Sequence, residues 1–313
     1  MAAQSFLSRQ ERFALVGSTN DVVRGWLAEG AREVCLAVAD EQSAGRGREG
    51  RTWQAPRGAA LLLSLGFRPA YLAPEAAWQL AGTVSLAMAD AAEDVAGLPD
   101  RAVKLKWPND LVIATPAPAG DHGAGRAADG THAAGGRDTA DLVDGHDPAA
   151  GFDVRKLAGV LGETDGLGGG DPRVVVGIGI NGDWRAADFP PDLRPTMTSL
   201  REASGGRPVD LAPLLAAFLT RLEARISLLR SGRFDVADWT ERQVTTGRLV
   251  RLETPDGGAQ TVRATGVDPT TGALLVEGVR GAKRRPILSG EIRHVRLFAR
   301  GAAATADAEP VGV

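Results

Sequence analysis

The sequence holds a single cysteine, Cys35, in 313 residues. An internal disulfide and a zinc cage of several thiolates are therefore excluded. Histidine is scarce as well, at four, and no Ser-His-Asp or Cys-His arrangement offers a protein nucleophile. Long apolar runs are missing: nothing approaches the roughly 18 consecutive apolar residues of a membrane span. The opening MAAQSFLSRQER lacks the apolar core of a signal peptide. The expectation is a cytoplasmic protein with no membrane partner. Charge of either sign is in no great excess, at a net −3, which argues against a protein that coats nucleic acid. Glycine (40) and proline (18) are plentiful and imply many turns or a disordered stretch. A hydrophobic content of 43% excludes disorder throughout, and the length suits one α/β core or a core plus one small domain.

Composition shifts most sharply over residues 114–151, which contain His122, His132 and His146, six aspartates, eight glycines and almost no large apolar side chain. Such a segment buries too little surface to offset chain entropy, so it reads as a disordered insertion at a hairpin tip. Its histidines match no metal-site spacing and read as solvated loop residues. Ahead of it, Ser18-Thr19-Asn20-Asp21 can cap a helix over Val22–Glu29. Val34–Glu41 and the continuous apolar run Ala59–Phe67 read as strands, and Ala73–Val95 has helical periodicity. Val103–Lys106 and Asp110–Ile113 read as strand segments interrupted at Trp107-Pro108-Asn109. Beyond the insertion, Lys156–Gly162 and Arg173–Ile180 are strand-like, Asp210–Leu229 is an amphipathic helix, and Phe234–Gln243 is a shorter one.

From Gly247 the pattern turns to short β-like runs between turn signals, with ten Lys/Arg against five Asp/Glu over residues 247–300. The expected division is a larger domain over residues 1–245, a basic β-barrel over 246–300 and a disordered tail over 301–313. The fold class is α+β, a mixed sheet with helices followed by a small barrel.

Four segments carry chemistry. Gly45-Arg46-Gly47-Arg48-Glu49-Gly50-Arg51-Thr52-Trp53 matches G-x-G-x-x-G in form, but Gln54-Ala55-Pro56 does not open the helix that a dinucleotide site requires. No Gly-Lys-Ser/Thr is present for a P-loop. The segment offers three guanidiniums on a glycine-rich backbone, suited to carboxylate or phosphate oxygens and to closing over a ligand. The alternative is a solvated basic loop. In Lys104-Leu105-Lys106-Trp107-Pro108-Asn109-Asp110, Pro108 sets a turn and Trp107 can pack under a pocket. There Asn109 and Asp110 can bond a polar ligand or chelate Mg²⁺; the same residues also read as a capped turn over a core tryptophan. Lys156, leading Leu157-Ala158-Gly159-Val160-Leu161-Gly162-Glu163, needs an anion if its strand buries it and is solvated if it only precedes the strand. Gly159 permits close approach of a ligand or backbone. Gly177-Ile178-Gly179-Ile180-Asn181 is a strand of bare backbone with a polar tip, suited to a flat ring lying on main chain. Cys35 lies in an apolar strand and reads as structural.

Taken in order, Ser18-Thr19-Asn20, Gln42 with Gly45–Trp53, Lys106–Asp110, Lys156–Gly159, Gly177–Asn181 and Ser289-Gly290-Glu291-Ile292 resemble the biotin protein ligase family over about residues 12–113 and 152–298. The resemblance implies a mixed α/β catalytic domain with an SH3-like C-terminal barrel. It implies ATP and biotin as substrates, Mg²⁺ as the metal, and the biotin carboxyl carrier domain of acetyl-CoA carboxylase or a related carboxylase as partner. Biotin carboxylate attacks the α-phosphorus of ATP to give biotinyl-5′-AMP and pyrophosphate. A carrier lysine then takes the biotinyl group and releases AMP. On this resemblance Lys156 and Arg48 are catalytic. Ser18, Thr19, Asn20, Gln42, Arg46, Gly47, Arg48 and Lys156 hold biotin. Arg48, Arg51, Trp53, Asn109, Lys156, Asn181 and Arg296 serve ATP and the adenylate, and Asp110 serves Mg²⁺.

The residues suit that chemistry. Two anionic substrates repel until Lys156 and the arginines screen them and steady the charge that builds at phosphorus. Ser18, Thr19 and Gln42 can serve a ureido ring in an otherwise apolar slot. A loop ordering over Gly45–Trp53 would keep water from the adenylate. Some family members carry an N-terminal winged helix; only 17 residues precede Ser18, so the form without a DNA-binding domain, and no DNA partner, is expected. Three readings compete with it, the weakest being nucleic-acid binding by the basic barrel, for which a role near an acidic carrier domain or ATP is the better account. A lipoate–protein ligase shares the catalytic fold, although the arginine-rich loop and the basic barrel favour biotin. A non-catalytic biotin-sensing module should lack the phosphate-side residues Lys156, Arg48 and Arg51.

Overall fold

The computed structural model describes residues 6–116, 152–278, 283–292 and 294–297. Chain order runs β1 (Arg9–Phe13), α1 (Thr19–Ala28), β2 (Cys35–Ala39), β3 (Ala60–Phe67), α2 (Trp78–Ala96), β4 (Val103–Lys106), β5 (Asp110–Pro116), β6 (Phe152–Asp165) and β7 (Arg173–Asn181). It continues through α3 (Leu200–Ala203), α4 (Leu211–Arg230) and α5 (Val236–Glu241), then β8 (Leu249–Glu253), β9 (Ala259–Val267), β10 (Leu274–Gly278), β11 (Arg285–Ile287) and β12 (His294–Leu297).

Strands β1 to β7 form one sheet in the order β1-β2-β3-β7-β6-β5-β4. The β1–β2 pair is parallel and every other pair is antiparallel. Side chains alternate across a strand, so the two faces separate cleanly. Leu36, Val38, Val174, Val176 and Ile178 point into the main core with α2 and α4. Cys35, Ala37 and Val175 point the other way, to Val23, Trp26 and Leu27 of α1. Central strand β3 is buried along its whole length, which is why it reads as an unbroken apolar run. Helix α1 spans only one end of its face. The rest of that face carries Gly177, Gly179, Gly159 and Leu161, cross-strand partners in the register Gly159↔Gly179 and Leu161↔Gly177. This uncovered region is where the site forms.

Helix α4 buries Leu214, Phe218, Leu222, Ile226 and Leu229, while Leu211 and Leu215 of the expected stripe are only partly buried. Its first turn is capped by Asp210, which accepts from Ala212 N–H at 2.9 Å. Helix α2 stops where Gly97 takes the left-handed conformation (φ 60°) and Leu98 N–H returns to Glu93 O at 2.9 Å. The helix expected over Ala73–Val95 opens instead with one 3₁₀ turn, Pro74–Ala76, before α2 begins at Trp78. A proline in the first turn suits that entry.

Residues 114–116, expected to belong to the insertion, continue β5 and pair with β6 as far as Pro116↔Phe152. The hairpin ladder holds them in the sheet, and the insertion therefore joins two paired strands. Residues 117–151, with His122, His132 and His146, and the tail 301–313 lie outside the described residues.

Strands β8 to β12 form a second, antiparallel sheet in the order β11-β10-β9-β8-β12. Among the described residues its edges β11 and β12 do not pair, so the sheet is not closed. Of the two readings of Trp107 the core one holds: it packs into this sheet's apolar core with Val250, Leu252, Val276 and Ile292. Its indole N–H donates to Gly272 O at 2.9 Å, and Trp78 donates to Thr270 O at 2.9 Å. The two sheets thus share an interface just behind the turn that carries Asn109 and Asp110.

Candidate functional site

The site is a cavity of about 240 Å³ on the α1 face of the large sheet. Its polar floor begins where α1 does. Ser18 is extended before the first turn (φ −151°, ψ 132°), and Ser18, Thr19 and Asn20 are all buried there. Thr19 N–H donates to Gln42 Oε1 at 2.7 Å, which fixes the amide of Gln42. Thr19 Oγ1 lies 3.0 Å from the same Gln42 oxygen and 2.7 Å from Ser64 Oγ, and Ser64 Oγ lies 2.5 Å from Asn20 Oδ1. Asn20 Nδ2 donates to Glu163 Oε2 at 2.8 Å. Asn20 reaches the sheet because Gly177 has no side chain: a Cβ there would stand 2.2 Å from Asn20 Oδ1.

The cationic side comes from two places. Lys156, on β6, sets its ammonium 2.6 Å from Asp110 Oδ1 on neighbouring β5, both side chains being mostly buried. Burial pushes the Asp110 carboxyl up, but the Lys156 and Lys106 ammoniums outweigh it and hold it below the usual carboxylate range. The Gly45–Trp53 segment folds back on itself, with Gly47 N–H to Arg51 O at 2.7 Å and Trp53 N–H to Gly45 O at 2.9 Å. Its Arg46 grips Asp21 of α1 with two bonds of 2.7 Å, and that hydrogen bonding holds the Asp21 carboxyl below its ordinary value. Arg48 donates to the carbonyls of Ser289 and, at 2.8 Å, Ile292 between β11 and β12; burial lowers its pKa.

The Gly177–Asn181 strand lines the cavity through Gly177 and Gly179, and the protein's own Trp53 indole lies against Gly179. A Cβ on Gly179 would meet Trp53 Nε1 at 2.7 Å, and one on Gly159 would meet Trp53 Cζ3 at 3.2 Å. The Lys156 ammonium lies 5.5 Å from the Trp53 ring centroid. Trp53 Nε1 is buried without a hydrogen-bond partner among the described residues.

The cavity gathers Ser18, Thr19, Asn20, Gln42, Arg46, Gly47, Arg48, Arg51, Trp53, Asn109, Asp110 and Lys156 from the sequence expectation. Two expected residues are not among those lining it. Asn181 is buried and donates through Nδ2 to Thr198 O at 2.9 Å, and Arg296 pairs with Glu253 at 2.8 Å on β12. Sequence reasoning missed Leu193, Thr196 and Met197. They arrive on an irregular segment that Lys156 ties down, with Lys156 N–H to Thr196 O at 2.7 Å and Thr198 N–H to Lys156 O at 2.8 Å. It also missed Ser64, a buried serine inside an otherwise apolar strand, and Lys106, which lines the cavity. The signal for Ser64 was there: a lone hydroxyl in a fully buried strand needs a partner.

The model of the biotin/lipoate A/B protein ligase family matches residues 13–181. Over 285 residues the chain is 29% identical to the biotin–[acetyl-CoA-carboxylase] ligase of Mycobacterium tuberculosis, covering 90% of this chain and 88% of that protein. It is 28% identical over 263 residues to a ligase of the same description from Paracoccus denitrificans, covering 83% and 91%. The structure of biotin protein ligase from Aquifex aeolicus in complex with biotin and ATP aligns with a TM-score of 0.66 at 24% identity, over 93% of this chain and 100% of that one, a likeness of fold.

Proposed function

The chain belongs to the biotin/lipoate A/B protein ligase family, and we propose that it is a biotin–protein ligase. It activates biotin with ATP to biotinyl-5′-AMP, releasing pyrophosphate, and passes the biotinyl group to a lysine of a biotin carboxyl carrier domain, releasing AMP. The observation that carries this reading is the hydrogen-bond polarity of the pocket floor. Gln42 Oε1 already accepts from Thr19 N–H, so the amide offers a ligand its N–H₂ end. Three oxygen contacts among Thr19, Ser64, Asn20 and Gln42 share two hydroxyl protons, and Ser64 must use its own on Asn20 Oδ1, which has none. The Thr19 proton then goes to Ser64 or Gln42, and Thr19 Oγ1 faces a ligand as an acceptor. A donor beside an acceptor is the complement of one side of a cyclic urea, C=O next to N–H.

A dithiolane ring has neither group. Burying this floor against lipoate would leave the Gln42 N–H₂ without the acceptor it offers itself to, which costs about 1–3 kcal/mol. That asymmetry favours biotin over lipoate within the family.

In this reading Lys156 and Arg48 are the catalytic cations. Lys156 exchanges its contact with Asp110 for the biotin carboxylate and then bridges that oxygen and the α-phosphate. Arg48 and Arg51 neutralise charge accumulating on phosphorus. Arg46 and Gly47 close the loop over biotin, and Trp53 shields the acyl phosphate from water. Asn109, held by its Nδ2 bond to Val160 O at 2.9 Å, presents the turn to the nucleotide. Asn181 and Arg296 remain proposed nucleotide-side residues outside the cavity lining.

Mg²⁺ would supply charge neutralisation for the pyrophosphate. The described residues do not fit a protein-held ion: Asp110 is the one carboxylate lining the cavity, it faces Lys156, and no group of three His, Cys, Asp or Glu gathers. An ion would enter on the ATP phosphates.

The basic stretch of residues 246–300, which we propose as an SH3-like barrel domain, complements an acidic carrier or the nucleotide. Among the described residues no helix is long and apolar enough to cross a membrane. The test is ATP–pyrophosphate exchange with biotin and, separately, with lipoate, followed by transfer of mass-labelled biotin to a carrier domain. Exchange is expected with biotin; exchange with lipoate and none with biotin would overturn the reading.

A further inference from the structure

Glu163 does not line the cavity. It stands near the end of β6, opposite Val175, on the face that carries α1. Its carboxylate meets Arg24 Nη2 at 2.5 Å, Arg46 Nη2 at 3.6 Å and Asn20 Nδ2 at 2.8 Å. Asp21, the other carboxylate of the cluster, is itself bonded to Arg24 and Arg46. The chemistry proposed above makes no use of Glu163.

A carboxylate oxygen carries no proton, so the end of the Asn20 amide that faces Glu163 must be its NH₂. The opposite end, Oδ1, is thereby held 2.5 Å from Ser64 Oγ and also lacks a proton, so Ser64 must donate to it. Ser64 has then no second proton for Thr19 Oγ1, 2.7 Å away. Thr19 gives its proton to Ser64, or to Gln42 Oε1 at 3.0 Å, and in either arrangement its oxygen shows only lone pairs to a ligand. Each link is buried or partly buried, and each depends on the one behind it.

On the reading that the pocket takes biotin, we propose that Glu163 is a positioning residue that sets the hydrogen-bond polarity of the floor. By orienting Asn20 it makes Thr19 an acceptor, so the site takes a ring with an N–H at that point and refuses one with a lone pair there. Without a carboxylate at 163 the Asn20 amide is free to turn over and donate to Ser64. The proton order then reverses, and Thr19 can point its hydroxyl proton at the ligand.

The probes are biotin and the two cyclic carbamates in which one or the other ureido N–H is replaced by ring oxygen. Each is titrated calorimetrically into the wild type, Glu163→Gln, Glu163→Leu and Glu163→Ala, and the readout is the Kd of the weaker-binding carbamate divided by that of biotin. In the wild type this ratio is expected to be at least about 100. Glu163→Gln retains an oxygen that accepts from Asn20 and should keep the ratio within about threefold, although the charge facing Arg24 and Arg46 is lost. Glu163→Leu and Glu163→Ala should lower it by at least about tenfold.

A ratio that stays at the wild-type value in the Leu or Ala variant overturns the proposal, and so does a Gln variant that loses selectivity as the apolar ones do. Position 163 is partly exposed at a strand end, and two apolar variants of different size keep the test available if one fails to fold. A wild type that does not bind biotin at all would instead overturn the biotin reading, and this proposal with it.

Discussion

Replacing Gly177 with alanine tests the placement of the pocket floor. The added Cβ would stand 2.2 Å from Asn20 Oδ1 and 3.0 Å from Asn20 Cγ, where ordinary contact begins at 3.4 Å. The side chain or the strand must therefore give by about 1.2 Å. Asn20 has little freedom to do so, because its two ends are held at 2.5 Å by Ser64 and at 2.8 Å by Glu163. Strand β7 is no freer, lying between β3 and β6 in the middle of the sheet. Overpacking of this kind costs about 1–3 kcal/mol, and a displaced buried hydrogen bond adds about 1 kcal/mol. For a chain of this size about 2–4 kcal/mol corresponds to a fall in Tm of about 5–15 °C.

The assay is differential scanning calorimetry paired with a biotin titration, in which affinity should fall by more than about tenfold. Gly170→Ala is the control: a Cβ there has nothing within 4 Å, and its melting point should be unchanged. A Gly177→Ala protein that melts with the wild type and binds biotin as tightly would refute the packing of Asn20 against the sheet, and with it the order of protons in the floor.

Lys156→Ala should bind ATP but lose adenylate formation by at least about 100-fold in pyrophosphate exchange; unchanged exchange would remove Lys156 from the chemistry. Asp21→Asn releases the Arg46 clamp and should speed tryptic cleavage within Gly45–Trp53. Because Arg46 lowers the Asp21 carboxyl below its ordinary 3.8, the clamp is complete above that pH and fails as pH falls through the lowered value, so wild-type cleavage by an acid protease should rise only in that range. Arg242 is 2% exposed and bonds Glu93, Asp90 and Asp238. Burial alone would disfavour its charge, yet those carboxylates raise its pKa, and Arg242→Ala leaves Glu93 buried without a cation while Asp90 and Asp238 keep Arg225. Urea unfolding should show a loss of about 3–5 kcal/mol, and a loss below about 1 kcal/mol would refute the pairing.

The elements were legible where burial imposes a pattern. Strand β3 is covered on both faces and α4 on one, and each left its period in the sequence. The arginine loop and the Lys156 strand were legible because charge beside glycine is hard to explain otherwise. What stayed hidden depends on distance along the chain. Trp107 belongs to the core of the small sheet, bonding a carbonyl 165 residues away, and nothing local distinguishes it from a tryptophan under a pocket. Leu193, Thr196 and Met197 reach the cavity through backbone bonds to Lys156, which have no side-chain signature.

The glycines of β7 show the limit most clearly. Their spacing tells that something approaches the main chain, but the occupants are Asn20 at Gly177 and the Trp53 indole at Gly179. Both belong to the protein, yet Gly159, Gly177 and Gly179 still line the cavity, so a ligand shares that stretch of sheet with Asn20 and Trp53. On the proposed function, Thr19 and Gln42 recognise the biotin ring beside these side chains. Selectivity at this site accordingly resides in which atoms of Asn20, Ser64 and Thr19 carry protons, a property that neither residue type nor spacing records and that only the bonded partners, ending at Glu163, can decide.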